Sequence, residues 1–580
     1  DAYILEMGNL YMRVFKNYAN VVSGMSPYEL VTPYAQADLF DSNGIFQIHS
    51  TQSGDVMYLV HGSYSPRVLT RTSDTAWSIN EIVMEDGPYL DENVTTTTLA
   101  FSGTTGSVTV TASAALFASG DVGRLIRVKH TNWSWLKITA YTDSTHVTAT
   151  VMGAAISTSA VTTWRLGVFS PRTGWPKTVA FFQDRVFMGG CSSYPDFWAL
   201  SKTGGYSSTT ITFQPSDATG TVADDNSVVG FLPSREVNSI RWATSDSRGL
   251  VVGTSRDEFV IRASSLGESI TPSNATSTLF SSTGSAYIQP VRTLSGSTFV
   301  QYARRKVFDI IYSFEEDTLK PLDTTLAADH ITEGQVLGMC YQQEPANIIW
   351  AWKGDGVLIG LTHYPEQKVW GWHRHHIGGV SDVGGSNAYV ECAATVRSSD
   401  GKRDDLWIIV RRYINGNTVR YVEYFKPFYD SEQVLEDSAC CDSRFTYDGV
   451  ATDTVTGLTH LEGETVKVMV DGRAHPDLVV TSGQIVLENS RTGSVIQVGL
   501  PYEWQLVTNK YEVKLPNGDT KKKKKKRFMS FVMRLLNTLG LKYGSPNEEL
   551  IEHDFEQGQN YHTTQTLFSG DTDDIVWPGR

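Results

Sequence analysis

Six stretches of this sequence follow one plan, and that plan limits the fold more than any other feature of the chain. Each sets an apolar strand, a turn and a second strand that often ends near an aromatic residue. The stretches are 46–82, 176–200, 238–262, 298–322, 336–373 and 388–427. With one insertion removed they recur at intervals of roughly 40 to 60 residues. "DVMYLVHGSYSPRVLTRTSDTAWSI" in the first, "TVAFFQDRVFMGGCSSYPDFWAL" in the second and "NIIWAWKGDGVLIGLTHYPEQKVWGWH" in the fifth show the pattern. Short alternating strands punctuated by Gly, Asn, Asp and Ser read as antiparallel hairpins. A small sheet must bury its faces against something, and radial packing of successive sheets does so. The expected fold is therefore mainly β, with a β-propeller-like core of about six blades. A sandwich of similar strand number is the competing arrangement.

Two regions depart from the repeat. Residues 93–165 are rich in Thr, Ser, Ala and Val, with "GSVTVTASAALF" and "STHVTATVMGAA". Trp133, Trp135, Leu136 and Ile138 supply it with a core, so a small inserted β domain is expected. Residues 446–580 form a C-terminal β-rich region. "ETVKVMVDGRAHPDL" and "GQIVLENSRTGSVIQVGLPYEWQLVT" read as hairpins with Asp-Gly and Gly turns. The expected division is thus 1–92 and 166–445 for the propeller, 93–165 for the insertion and 446–580 for the last region.

The 580 residues carry a formal net charge of −14, and a nucleic-acid-binding domain would be basic. Hydrophobic residues at 40 % and charged residues at 19 % exclude a disordered polyelectrolyte. The mean hydropathy is −0.22, and no run of about 18 apolar residues predicts a transmembrane helix. Asp1 to Met7 show no basic-then-apolar signal peptide, and Asp1 in first place suggests that residues precede it. Five cysteines without a CxxC pair support neither a disulfide framework nor a zinc site.

The sharpest local feature is the basic run Lys521, Lys522, Lys523, Lys524, Lys525, Lys526 and Arg527. Side by side these charges repel and stay solvated, so an exposed loop is expected. A phosphate-contacting ring or a membrane-surface patch are the functional alternatives. Beyond it, Phe528, Phe531, Val532, Leu535 and Leu539 fall at helical spacing, whereas Met529, Phe531, Met533 and Leu535 alternate as in a strand. Residues 545–580 then hold eight acidic residues, Glu548, Glu549, Glu552, Asp554, Glu556, Asp571, Asp573 and Asp574, against the single basic Arg580. With little apolar content this tail needs a neighbour to order it. His373 and His375 share a face if "WGWHRHH" is a strand, but neither they nor His376 acquire a third metal ligand from spacing. Glu315-Glu316 and Asp404-Asp405 are adjacent, so in a strand the two carboxylates of each pair point opposite ways. No GxSxG, P-loop or HExxH motif occurs.

Several segments together resemble the tail tubular protein B family, the tail nozzle or tail-hub stabilisation proteins of short-tailed bacteriophages. They are "YELVTPYAQADLFDSNGIFQIHSTQSGDVMYLVHGSYSPRVLTR" (28–71), "GWPKTVAFFQDRVFMGGCSSYPDFWALSKTGGY" (174–206), "LVVGTSRDEFVI" (250–261) and "GDGVLIGLTHYPEQKVWGWHRH" (354–375). "FASGDVGRLIRV" (117–128) is similar to a β insertion found in relatives. The resemblance runs through most of residues 1–510 and stops before the lysine run. It implies a virion protein of the tail tip, assembled in the host cytoplasm. It further implies a homo-hexameric nozzle below the tail adaptor ring that closes and opens the DNA exit channel and docks tail fibres or host receptors. Viral DNA would pass without sequence-specific binding. The resemblance carries over no catalytic residues, cofactor or metal ligands. A β-propeller glycosidase or a receptor-binding adhesin acting on host surface polysaccharide is the rival reading.

Overall fold

A computed structural model describes residues 2–234, 238–294, 296–385, 387–427, 434–438, 441–508, 529–538, 540–545, 549–553, 555 and 567–576. The fold is mainly β. The chain divides into two compact units. One is Asp1–His375 with Val390–Ile408, the other His376–Tyr389 with Ile409–Arg580.

The first unit follows the repeat of the sequence. Strands His49–Ser53, Val56–His61, Tyr64–Ser73 and Ala76–Glu81 form an antiparallel sheet in which each strand pairs with its predecessor. Thr178–Phe182, Arg185–Gly189, Phe197–Leu200 and Val228–Phe231 form the second, and Ile240–Asp246, Gly249–Thr254, Glu258–Ala263 and Ala275–Ser281 the third. Val291–Arg292, Ser297–Val300, Val307–Ser313 and Thr318–Asp323 make the fourth, and Val336–Gln342, Ile348–Lys353, Leu358–Tyr364 and Val369–His375 the fifth. The three-stranded sixth, Tyr389–Arg397, Asp404–Ile414 and Asn417–Tyr424, has residues in both units. The turn between Phe182 and Arg185 places Gln183 and Asp184 at φ of 47° and 57°. Two left-handed residues in succession match the twist of the flanking strands.

Alternation within these strands decides how the sheets pack. Leu250 and Val252 face a core shared with Ala180, Phe187 and Trp198 of the second sheet. Val251, between them, faces Trp242, Phe299 and Ile310, a core shared with the fourth sheet. Tyr58, Val60 and Val68 of the first sheet likewise meet Val179, Val186 and Met188 of the second. Strands Arg185–Gly189 and Gly249–Thr254 are consequently buried at every position. Such strands read as continuous apolar runs because both their faces are covered. Further along, Asp309 of the fourth sheet accepts a hydrogen bond at 2.7 Å from His363 of the fifth.

Between the first and second sheets the chain builds a six-stranded antiparallel sheet. Its spatial order is Leu99–Phe101, Ser107–Ala112, His146–Val151, Trp133–Tyr141, Leu125–Lys129 and Trp164–Leu166. Leu136 and Ile138 lie in its core with Val110, Ile126 and Val147. Trp133 is buried outside that cluster, beneath the guanidinium of Arg127 at 4.9 Å. The ends of this excursion are tied together, since the Leu90 amide donates to the Leu166 carbonyl at 2.9 Å.

In the second unit, Asp442–Thr452, Gly493–Leu500, Thr465–Val470 and Arg473–Val479 form a sheet in that order. Its core is Val466, Val468, Val470, Ile496 and Val498. The Asp-Gly turn expected in "VDGR" is present, with Asp471 and Gly472 at φ of 48° and 73°. Of the two templates for the stretch after the lysine run, the strand holds. Ser530–Phe531 pairs with Ile575–Val576 and Arg534–Thr538 with Phe568–Asp571. Phe531, Met533 and Leu535 are half-buried while Val532, Arg534 and Leu536 are exposed, a period of two. The described strands of the acidic end, Ile551–Glu552, Phe568–Asp571 and Ile575–Val576, thus find pairing partners within the chain.

Candidate functional site

An open concavity of the first unit lies where the first strands of three sheets end. Ser53, Phe182 and Asp246 close those strands. With the turns that follow, and with residues 265–269, they line an open cleft of about 680 Å³. Its walls mix polar and apolar residues, and polar side chains hold the loops in place. Tyr206 donates its hydroxyl to Asp184 at 2.6 Å, and the Ile270 amide donates to the Gln183 side chain at 2.8 Å. Asp246 accepts from the Arg248 amide at 3.3 Å, and the Arg248 guanidinium covers the Tyr312 ring at 3.7 Å. Asp184 and Asp246 therefore brace turns. The cleft can offer hydrogen bonds to a polar ligand.

A strongly perturbed carboxyl lies away from the cleft. Glu258 is fully buried, and burial pushes its pKa up to about 7. It accepts hydrogen bonds from Ser285 Oγ at 2.9 Å and the Thr283 amide at 3.2 Å, which clamp the segment leading to the fourth sheet. A raised carboxyl enclosed by its own fold is a structural brace, since general acid–base work needs a cleft that admits substrate.

The residues singled out in the sequence are dispersed. His373 and His375 do share a face of strand Val369–His375, with Nδ1 of one 2.7 Å from Nε2 of the other, edge-on to Trp350. Among the described residues no group of three or more His, Cys, Asp or Glu is arranged to hold a metal ion. Glu316 pairs with Lys320. Asp404 accepts from the Gln343 amide at 2.8 Å, whereas Asp405 accepts from Tyr18 at 2.7 Å and Arg403 at 2.9 Å. The two aspartates thus serve different neighbours, as their adjacency predicts. Lys521 to Arg527 lie outside the described residues. Sequence reading missed the cleft because its lining comes from turns of three repeats. The one local signal was the succession of polar turn residues Gln183-Asp184 and Asp246-Ser247-Arg248 at equivalent places in the second and third repeats.

Among the described residues no helix is long and apolar enough to cross a membrane. No family model matches the chain, and no curated protein matches it significantly. Among solved structures it is similar over 66 % of its length to a protein from Lactobacillus plantarum, 98 % of which is covered, at 10 % identity and a TM-score of 0.25. It is similar over 65 % of its length to the computationally designed Ika8 protein, 88 % of which is covered, at 10 % identity and a TM-score of 0.24. Likeness at that level fixes neither fold nor function.

Proposed function

We propose that the chain is a structural protein of a short-tailed phage's tail, six copies of which ring the DNA exit channel as a nozzle. The observation that carries this reading is the succession of six antiparallel sheets at the six sequence repeats, the first four joined by three shared cores, with one extra sheet between the first and second in the chain. A succession of small sheets with one inserted is consistent with a propeller, and it follows the segments that resemble the tail nozzle family. Its partners are then the adaptor ring above, tail fibres at the side and DNA in the lumen. Charge fits a conduit. Six copies at −14 sum to 6 × −14 = −84, and a wall that DNA must slide past should not bind phosphate. Only charges within a screening length of about 8 Å of the lumen act on the DNA.

The cleft keeps a glycosidase as the second reading, because Asp184, Asp246 and Glu268 all lie along it. Incubation of the purified protein with host surface polysaccharide separates the two. No sugar release is expected. Release that disappears in Asp184→Asn, Asp246→Asn or Glu268→Gln variants contradicts the structural role.

A further inference from the structure

The cleft at the strand ends carries two cations that the fold does not neutralise. Arg248 stands in the turn after strand Ile240–Asp246, and Arg262 lies near the end of strand Glu258–Ala263. Both line the cleft, and both also line a smaller recess beside it, together with Tyr312 and Asp317. Their stems are neighbours, since a Cβ on Gly249 would come within 3.0 Å of the Arg262 Cβ. Each side chain is half-buried, so part of it stays open to solvent. The Tyr312 hydroxyl donates to Asp317 at 2.5 Å, and the Arg248 guanidinium lies 3.7 Å from the centre of the Tyr312 ring. Stacking of this kind fixes the plane of a guanidinium and leaves the N–H groups at its edge free to bind. Among the described residues neither arginine forms a salt bridge, and the Arg262 side chain donates no hydrogen bond.

The carboxylates along the cleft are turned to other donors. Asp184 takes the Tyr206 hydroxyl, and Asp246 takes that of Ser247 at 3.1 Å. Together with Glu268 they keep lone pairs for further hydroxyl donors. Phe181 and Tyr206, with ring centroids 5.2 Å apart, add an apolar surface to the same walls. Three carboxylates beside two guanidiniums repel a ligand of dense negative charge, such as nucleic acid or polyphosphate. They match a ligand that carries isolated negative charges among many hydroxyls.

We propose that the cleft binds an acidic saccharide, a chain bearing uronic acid units. A sugar carboxylate lies on Arg248 and Arg262, whose planar forks make charge-assisted hydrogen bonds to it. Ring hydroxyls donate to Asp184, Asp246 and Glu268. The sugar is bound, not cleaved. The site does not depend on the reading of the chain as a tail protein.

Calorimetric titration of the full chain with trigalacturonate and with a hyaluronan hexasaccharide, each beside its methyl ester, tests it. At least one of the two acids should bind saturably. Its ester, with the same hydroxyls and no charge, should bind about tenfold or more weaker, the contribution of one charged hydrogen bond. Arg262→Gln removes a guanidinium, and Arg248→Lys keeps the charge but loses the fork. Both variants should weaken the acid by a similar factor and leave the ester unchanged, a split that general loss of structure does not give. Binding of neither acid, equal binding of acid and ester by the unsubstituted protein, or an equal loss for both in the variants overturns the proposal. So does tri-aspartate bound as tightly as the acid, which would make the cleft a peptide site.

Discussion

At the scale of single residues, the chain holds several charges in its interior, and each makes a prediction with a sign. Glu258 ionises at about 7 when folded, against the ordinary 4.5. The folded state therefore binds the extra proton between those values, and its stability relative to the unfolded chain falls as pH rises from about 4.5 to about 7. The effect is on the order of 3 kcal/mol. A Glu258→Gln variant should lack this component, which denaturant unfolding at pH 4.5 and pH 8 measures. A loss of equal size in both proteins contradicts the assignment. Arg127 and Asp86, both buried, form an ion pair at 3.3 Å, and Arg127 also donates to the Ser216 carbonyl at 2.8 Å. Arg127→Met should cost about 3 to 5 kcal/mol by stranding the carboxylate, and Asp86→Asn in the same chain should restore part of it. A double-mutant cycle gives the coupling, and simple additivity refutes it. None of this was legible in the sequence. Asp86 and Arg127, or Arg248 and Tyr312, meet only after chain folding, and no local pattern marks them. The reading of Asp404 and Asp405 succeeded for the opposite reason, since strand alternation alone separates neighbouring side chains.

Elements were legible wherever alternation and turn chemistry were strong. The six repeats were visible because each central hairpin is a short apolar strand, a polar turn and a second apolar strand. Fourth strands were not. Val228–Phe231 reaches the second sheet only after a long excursion from Leu200, and Ala275–Ser281 is largely polar. The stretch 529–538 was ambiguous because its apolar residues fit periods of both 2 and 3.6. Pairing with 567–576 settles it, a partner that no window along the sequence could supply. A device that sequence reading overlooked recurs in the sheets: an indole over a facing glycine. Gly253 lies opposite Trp242, and Gly338 opposite Trp352. A Cβ on either glycine would fall within 2.2 Å and 2.0 Å of the ring, respectively. Bare backbone at these places lets the ring lie flat on the sheet. Gly253→Ala should push the fully buried Trp242 ring off its seat against Phe299 and cost roughly 1 to 3 kcal/mol. Denaturant unfolding with tryptophan fluorescence checks both effects, and an unchanged midpoint and spectrum contradict them.

For the whole molecule, the constraint is how six small sheets bury their faces. Three shared cores join the first four sheets in succession, so their interior is built from pairwise cores instead of one centre. An inserted sheet with its own core is tolerated in such a plan when its ends are tied together, as Leu90 and Leu166 are. Ring assembly needs contacts between unlike faces of neighbouring copies that close after a fixed rotation. On the proposed reading the isolated chain is largely monomeric and closes into its ring on the adaptor. The central claim is the place of this chain at the tail tip. Electron microscopy of phage particles carrying a gold label on this chain tests it most directly. The account predicts label confined to the distal end of the tail, with six-fold averages showing one copy per sector. Label on the capsid or along separate fibres, or none on the particle, contradicts it.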